Sequence, residues 1–311
     1  MVPIKGENTV KKGRNVLIIL ITLLAVAATG AYAFLFVLWD DTTPPKITAA
    51  SDVLEVSVSA GETELLAGVT AEDNADGDVT DRVLIEGITG LNDQSEATIT
   101  YAAFDKAGNV SKTTRTLKYS DYHSPVFGQS KSLTFAAGNS SDILSYMSAS
   151  DVIDGDISSR VKGTLVSDTG SLSYPGVHQV EFRVTNSMGD TQYITLPVEI
   201  YENGAYNASV LLTDYLIYLQ KDAEFDPKDY LGSLTAGNNT YSLTNQTSRT
   251  RVYVNHYVDP AANTTPYISI INVDIENDVD TSIPGVYSVI YEASYEDIYT
   301  GYARLNVVVE E

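Results

Sequence analysis

Thirteen residues of this chain are written twice. Residues 71–83 and residues 149–161 both read A-x-D-x-x-D-G-D-[VI]-[ST]-x-R-V, with seven identities, at a spacing of 78 residues. A period of that size holds one small β domain, so the chain must build the same design at least twice rather than fold around one large core. After each copy comes a strand of alternating apolar residues and then a polar turn with glycine, the pattern of a half-buried hairpin. In the first copy Ile99, Tyr101 and Ala103 lead into Asp105-Lys106-Ala107-Gly108-Asn109. In the second, Val180, Phe182 and Val184 lead into Asn186-Ser187-Met188-Gly189-Asp190. A third copy lacks the acidic turn but keeps Pro284-Gly285-Val286-Tyr287, the strand through Tyr291, and a closing alternation of Leu305, Val307 and Val309.

Turn-forming stretches at Thr42-Thr43-Pro44-Pro45, Asp121-Tyr122-His123-Ser124-Pro125 and Glu202-Asn203-Gly204 separate these segments. The expected divisions are therefore 40–120, 121–201 and 202–311. Val, Ile, Thr and Tyr dominate them, which predicts an all-β chain of tandem sandwiches with about seven strands each. The acidic turn, the P-G-x-Y-x-V-x-Y strand and the D-x-x-G-N turn together resemble the bacterial immunoglobulin-like repeat family of the pesticidal-crystal-protein type. That resemblance implies Ig-like sandwiches used in display and adhesion, and it implies no common ligand.

Ahead of the β region lies a segment of a different kind. Val16 to Trp39 contains no charged residue, and those 24 positions make a helix of roughly 36 Å against a hydrocarbon core of about 30 Å. Lys5, Lys11, Lys12 and Arg14 precede it, so the positive-inside bias predicts a cytoplasmic tail over 1–15, a signal anchor over 16–39 and everything later outside the cell membrane. A competing reading is a cleaved signal peptide, since Ala31-Tyr32-Ala33 has the form of a processing site. Apolar residues continue through Leu38, which favours the uncleaved anchor. Ala25, Ala27, Ala28, Gly30, Ala31 and Ala33 would let another membrane helix approach closely.

Charge narrows the partners. The chain has 19 Lys and Arg against 41 Asp and Glu, a net charge of −22, and no basic cluster to neutralise phosphates, so nucleic acid is excluded. With no cysteine there are no disulfides, thiolate metal sites or cysteine nucleophiles. The chain carries no G-x-S-x-G, H-E-x-x-H, P-loop or kinase signature, and His123, His178 and His256 stand far apart. No enzymatic activity and no organic cofactor are expected.

Two readings of the acidic turns stay open. Asp73, Asp76 and Asp78, repeated as Asp151, Asp154 and Asp156, offer closely spaced hard oxygen donors of the kind calcium takes, although the EF-hand spacing and its closing glutamate are missing. The alternative is that these side chains cap backbone N–H groups, with Gly77 and Gly155 supplying the backbone freedom and Arg82 and Arg160 pairing with a carboxylate. The Asp105 to Asn109 turn could join a calcium site or simply close a hairpin. The last division holds an insertion of some 25 to 29 residues around Ala236 to Pro266, and 14 of the 21 tyrosines follow residue 200. Tyrosine with Asn and Thr suits a contact surface, which makes Tyr241, Tyr253 and Tyr257 the candidate ligand contacts. An extra hairpin packed on the sheet is the other account of that insertion.

The sequence thus predicts a single-pass membrane protein displaying Ig-like modules for adhesion, binding or spacing, with a surface glycan or protein as ligand. The rival is a non-catalytic accessory subunit of an envelope complex that meets its partner through the helix.

Overall fold

The computed structural model describes residues 7–39, 41–92, 94–166, 171–243, 251–256 and 267–311. A single helix, Glu7–Trp39, contains the uncharged segment. Within it the hydroxyls of Thr22 and Thr29 donate to the carbonyls of Ile18 and Ala25 at 2.8 and 2.7 Å, so these two hydroxyls are satisfied inside the helix. Over Arg14–Phe34 the mean hydropathy is 2.4, and 0% of that window is buried by the rest of the chain.

The chain divides into two compact units, one of residues 1–56, 60–89 and 96–118, the other of residues 57–59, 90–95 and 119–311. In the first unit, strands Lys46–Ala49, Val69–Asp73 and Gly77–Asp78 form one sheet. Val53–Val56, Val110–Tyr119, Glu96–Phe104 and Val83–Thr89 form the other, in that order. Alternation decides which side chains enter: along Glu96–Phe104 the residues Ala97, Ile99, Tyr101 and Ala103 face inward, and Ile99 and Tyr101 are 0% exposed. Each such fully buried side chain stabilises the fold by about 1.5–3 kcal/mol.

The second unit contains the same plan again. Strands Val126–Gln129, Met147–Asp151 and Gly155–Asp156 make one sheet, and Lys162–Leu165, Gly176–Thr185, Thr191–Tyr201 and Thr134–Ala136 make the other. Phe182 takes the core position that Tyr101 has in the first unit. Eight further strands follow, and here the plan changes. Ala208–Leu212 and Leu216–Gln220 both pair in parallel with the twelve-residue strand Tyr299–Glu310, which joins all eight into one continuous hydrogen-bonded sheet. Tyr291 is its central aromatic, 0% exposed, with its hydroxyl donating to the Pro227 carbonyl at 2.6 Å.

The described part of the insertion expected over 236–266 supplies two strands to this sheet. Its strand Asn239–Ser242 pairs with Leu231–Ala236 at one end of the sheet, while Arg251–His256 pairs with Tyr267–Asn277 at the other. Ala236 and Leu243 are core residues, 2% and 1% exposed. Alternation along a segment predicts that it is a strand but does not say which strand it will meet.

Candidate functional site

The acidic turns are built by short-range chemistry. Gly77 and Gly155 have φ of +75° and +72°, the left-handed region where a Cβ would be strained, so glycine is what lets each turn close. Just before them, Asp73 Oδ1 accepts the N–H groups of Ala75 and Asp76 at 2.8 and 2.9 Å, and Asp151 Oδ1 accepts those of Ile153 and Asp154 at 2.9 Å each. Just after, Asp78 and Asp156 each accept the N–H two residues on, from Thr80 and Ser158, at 2.9 Å.

The middle carboxylates tie each turn to the hairpin that follows it. Asp76 accepts the Lys106 N–H at 2.6 Å and its ammonium at 2.9 Å; Asp154 accepts the Ser187 N–H and hydroxyl at 2.6 Å each and pairs with Arg160. Arg160 thus pairs as the sequence suggested, whereas Lys106 rather than Arg82 holds that place in the first turn. These contacts hold the Asp76 carboxyl below the usual carboxylate range, chiefly through the Lys106 N–H. Burial pushes Asp154 up, but hydrogen bonds from Ser187 and Arg160 outweigh it and leave the carboxyl depressed. Asp78 and Asp156 are lowered by the hydroxyl and N–H of Thr80 and Ser158.

Among the described residues, Asp73, Asp76 and Asp78 do not form a group of carboxylates within 4.8 Å of one another. Asp73 instead meets two residues distant in sequence, Asp41 and Asp105, with one oxygen of each carboxylate within 4.8 Å of the others. Asp105 accepts the Asn109 N–H at 2.8 Å and its side-chain amide at 2.7 Å, and the same amide reaches the Asp41 carbonyl at 2.9 Å. Asp41 Oδ1 accepts the Thr43 N–H at 3.0 Å. Sequence reasoning placed the Asp105 turn within reach of such a site and missed Asp41, whose only local signal is its place before Thr-Thr-Pro-Pro.

At the matching place in the second unit the chemistry is different. Asn186 donates to Asp151 Oδ2 at 3.1 Å and to the Tyr122 hydroxyl at 3.0 Å, and that hydroxyl donates to Asp190 at 2.6 Å. Burial and the neighbouring Asp190 push the Tyr122 phenol well above its ordinary value, so it serves as a donor.

Of the tyrosines proposed as ligand contacts, Tyr241 is half-buried and its ring packs 4.8 Å from that of Tyr295. Tyr253 lies in strand Arg251–His256, opposite Ile270. Tyr257 lies outside the described residues. A cleft of about 780 Å³ opens elsewhere in the second unit, lined by His123, Phe127, Tyr193, Tyr218, Val308 and Glu310 among others. Tyr218 donates to the Phe127 carbonyl at 3.1 Å across it, and burial pushes its phenol up to about 12. His178 is a core residue, with Nε2 2.9 Å from the Tyr174 carbonyl.

Comparison with known proteins gives one family match. The model described as bacterial surface protein, Ig-like domain, matches residues 51–118. A stretch of 101 residues is 35% identical to an uncharacterized 81.3 kDa protein of Acholeplasma phage L2; it covers 32% of this chain and 13% of the phage protein, so the chain spans a small part of that relative. Among solved structures, CBM51-2 in complex with GlcNAc and INT domains from Clostridium perfringens ZmpB is similar at TM-score 0.20 and 15% identity, over 54% of this chain and 31% of that one. Mouse cadherin-23 EC22-24 is similar at TM-score 0.19 and 11% identity, over 87% and 99%.

Proposed function

We propose that this chain, with its Ig-like domain of the bacterial surface type, is a single-pass membrane protein that displays β-sandwiches outside the cell to bind a surface glycan or protein. The helix carries this reading. A 21-residue window of mean hydropathy 2.4 that is 0% buried has no apolar partner among the described residues, and lipid supplies one. The basic residues ahead of it put the N-terminus in the cytoplasm. Beyond residue 15 the chain carries 15 basic and 40 acidic side chains, a charge of −25, which keeps the displayed part soluble and away from anionic headgroups.

Protease applied to intact cells should digest the β region and leave the helix with its tail in the membrane. Protection of that region, or a mature N-terminus at Phe34, would overturn the anchored form. The cleft that contains Tyr193 and Tyr218 is the place for a ligand, since it sets exposed aromatic surface beside His123 and Glu310. A glycan and surface-protein binding screen with the full chain in detergent, repeated with Tyr193→Ala, tests it: Tyr193 is 55% exposed, so its loss should weaken binding without unfolding the protein.

The exposed small-residue stripe from Ala25 to Ala33 favours a second reading, an accessory subunit held by helix packing. Crosslinking within the membrane separates the two, because a passive anchor yields no specific partner.

A further inference from the structure

We propose that the first unit holds a divalent cation of the calcium class between the carboxylates of Asp41, Asp73 and Asp105. Their oxygens lie within 4.8 Å of one another, a spread that donors about 2.3–2.6 Å from a single ion can bridge. Asp73 and Asp105 are 5% and 3% exposed and Asp41 is half-buried. Three like charges gathered where water is scarce repel strongly unless something positive sits among them.

The observation that points to a ligand is Asp73 Oδ2. It is buried and accepts no hydrogen bond, although Oδ1 of the same carboxylate accepts two. A buried anionic oxygen left without a donor is costly, and native proteins seldom keep one. Among the described residues, the donors to the three carboxylates are backbone N–H groups and the Asn109 amide, with no cationic side chain; Lys106, the adjacent one, is committed to Asp76.

The second unit shows what that oxygen needs. Asp105 and Asn186 occupy equivalent positions, since the residue after each, Lys106 or Ser187, donates its N–H to Asp76 or Asp154 at 2.6 Å. There Asn186 donates to Asp151 Oδ2, the counterpart of the orphaned atom, at 3.1 Å. One unit therefore answers the buried carboxylate with a protein N–H, while the other offers it a second and third carboxylate. The first arrangement is complete as it stands, and the second is complete with a cation. An all-carboxylate set without Cys or His selects a hard cation, and water fills the remaining positions. Bound there, the ion would tie residue 41 to the turns at residues 73 and 105.

Calorimetric titration of the full chain in detergent with calcium chloride, at physiological salt, tests this. One saturable site per chain is expected, with Kd in about the 10⁻⁴–10⁻³ M range of extracellular modules. Asp105→Asn, which copies the second unit's solution, should weaken binding by about tenfold or more, and so should Asp41→Asn, which sits in a more exposed place and tolerates change if the first variant misfolds. Asp78→Asn, in the acidic turn but outside the cluster, should bind as the wild type does. No saturable binding by the wild type would overturn the proposal, as would unchanged affinity in a folded Asp105→Asn or Asp41→Asn variant. Tighter binding of magnesium than of calcium would overturn the assignment of the class.

Discussion

Arg304 Nη2 lies 2.7 Å from Glu199 Oε2, joining the last strand of the chain to strand Thr191–Tyr201 across 105 residues of sequence. Arg304 is 5% exposed, and its other amino group donates to the Ser288 hydroxyl at 2.9 Å. The Tyr302 hydroxyl donates to the same Glu199 oxygen, and burial together with that carboxylate pushes the phenol far above its ordinary value. Nearby, the Asn306 amide donates to Gln129 at 2.8 Å, and the Arg304 N–H to the Ser132 hydroxyl at 2.9 Å. Residues 126–201 and 208–310 are thus fastened to each other by buried polar contacts.

Glu199→Ala should therefore cost about 3 kcal/mol in denaturant unfolding of the full chain, because a buried guanidinium loses its counter-charge. The second unit should melt in one transition in the wild type and in two in the variant. A single unshifted transition in Glu199→Ala would show that the pair is not what couples residues 126–201 to residues 208–310.

Gly155→Ala should destabilise the second unit by about 1–2 kcal/mol. Its φ of +72° is the whole cause, since nothing lies within 4 Å of where the added Cβ would sit. Gly155→Asn should lose less, as Asn tolerates that region better. Equal losses would point to packing instead, and urea titrations of the two variants decide.

Stability should hold steady from neutral pH down to about 5 and fall below about 4. Asp76, Asp78, Asp154 and Asp156 all lie below the ordinary 3.8 in the folded protein. Lowered carboxyls contribute fully above the unfolded value, and the contribution is lost as pH falls through the folded one. Asp154→Asn should make the acid limb of a stability-against-pH curve shallower; an identical limb would show that its contacts do not form in solution.

Leu243→Ala should cost about 2–5 kcal/mol, the range for emptying a well-packed core site. Leu243 is 1% exposed and its N–H donates to the Gly232 carbonyl at 2.9 Å. By the same logic, deleting 236–266 should unfold the eight-stranded sheet, which circular dichroism on the deletion variant will show as lost strand signal. A folded deletion variant would mean that the sheet closes without either strand of the insertion.

Local chemistry made much of this protein legible. The uncharged run from Val16 to Trp39 became one helix, and alternation at Ile99-Tyr101-Ala103 and Val180-Phe182-Val184 placed those side chains in cores, because both patterns act over a few residues. The Asp-Gly-Asp turns folded as their spacing suggested, since a carboxylate two residues before an N–H can always reach it and glycine meets the backbone requirement by itself. Partnership across the chain was not legible. Nothing near Asp41 announces Asp73 and Asp105, and nothing in the Tyr- and Asn-rich stretch after Ala236 says that its two strands belong at opposite ends of one sheet. Those outcomes depend on which strands pair and in what register, and many pairings satisfy the same alternation. The sequence alone determined the helix, the β character, the core aromatics and the turns; tertiary structure alone decided which carboxylates meet, which of them acquires a protein donor, and that Arg304 finds Glu199.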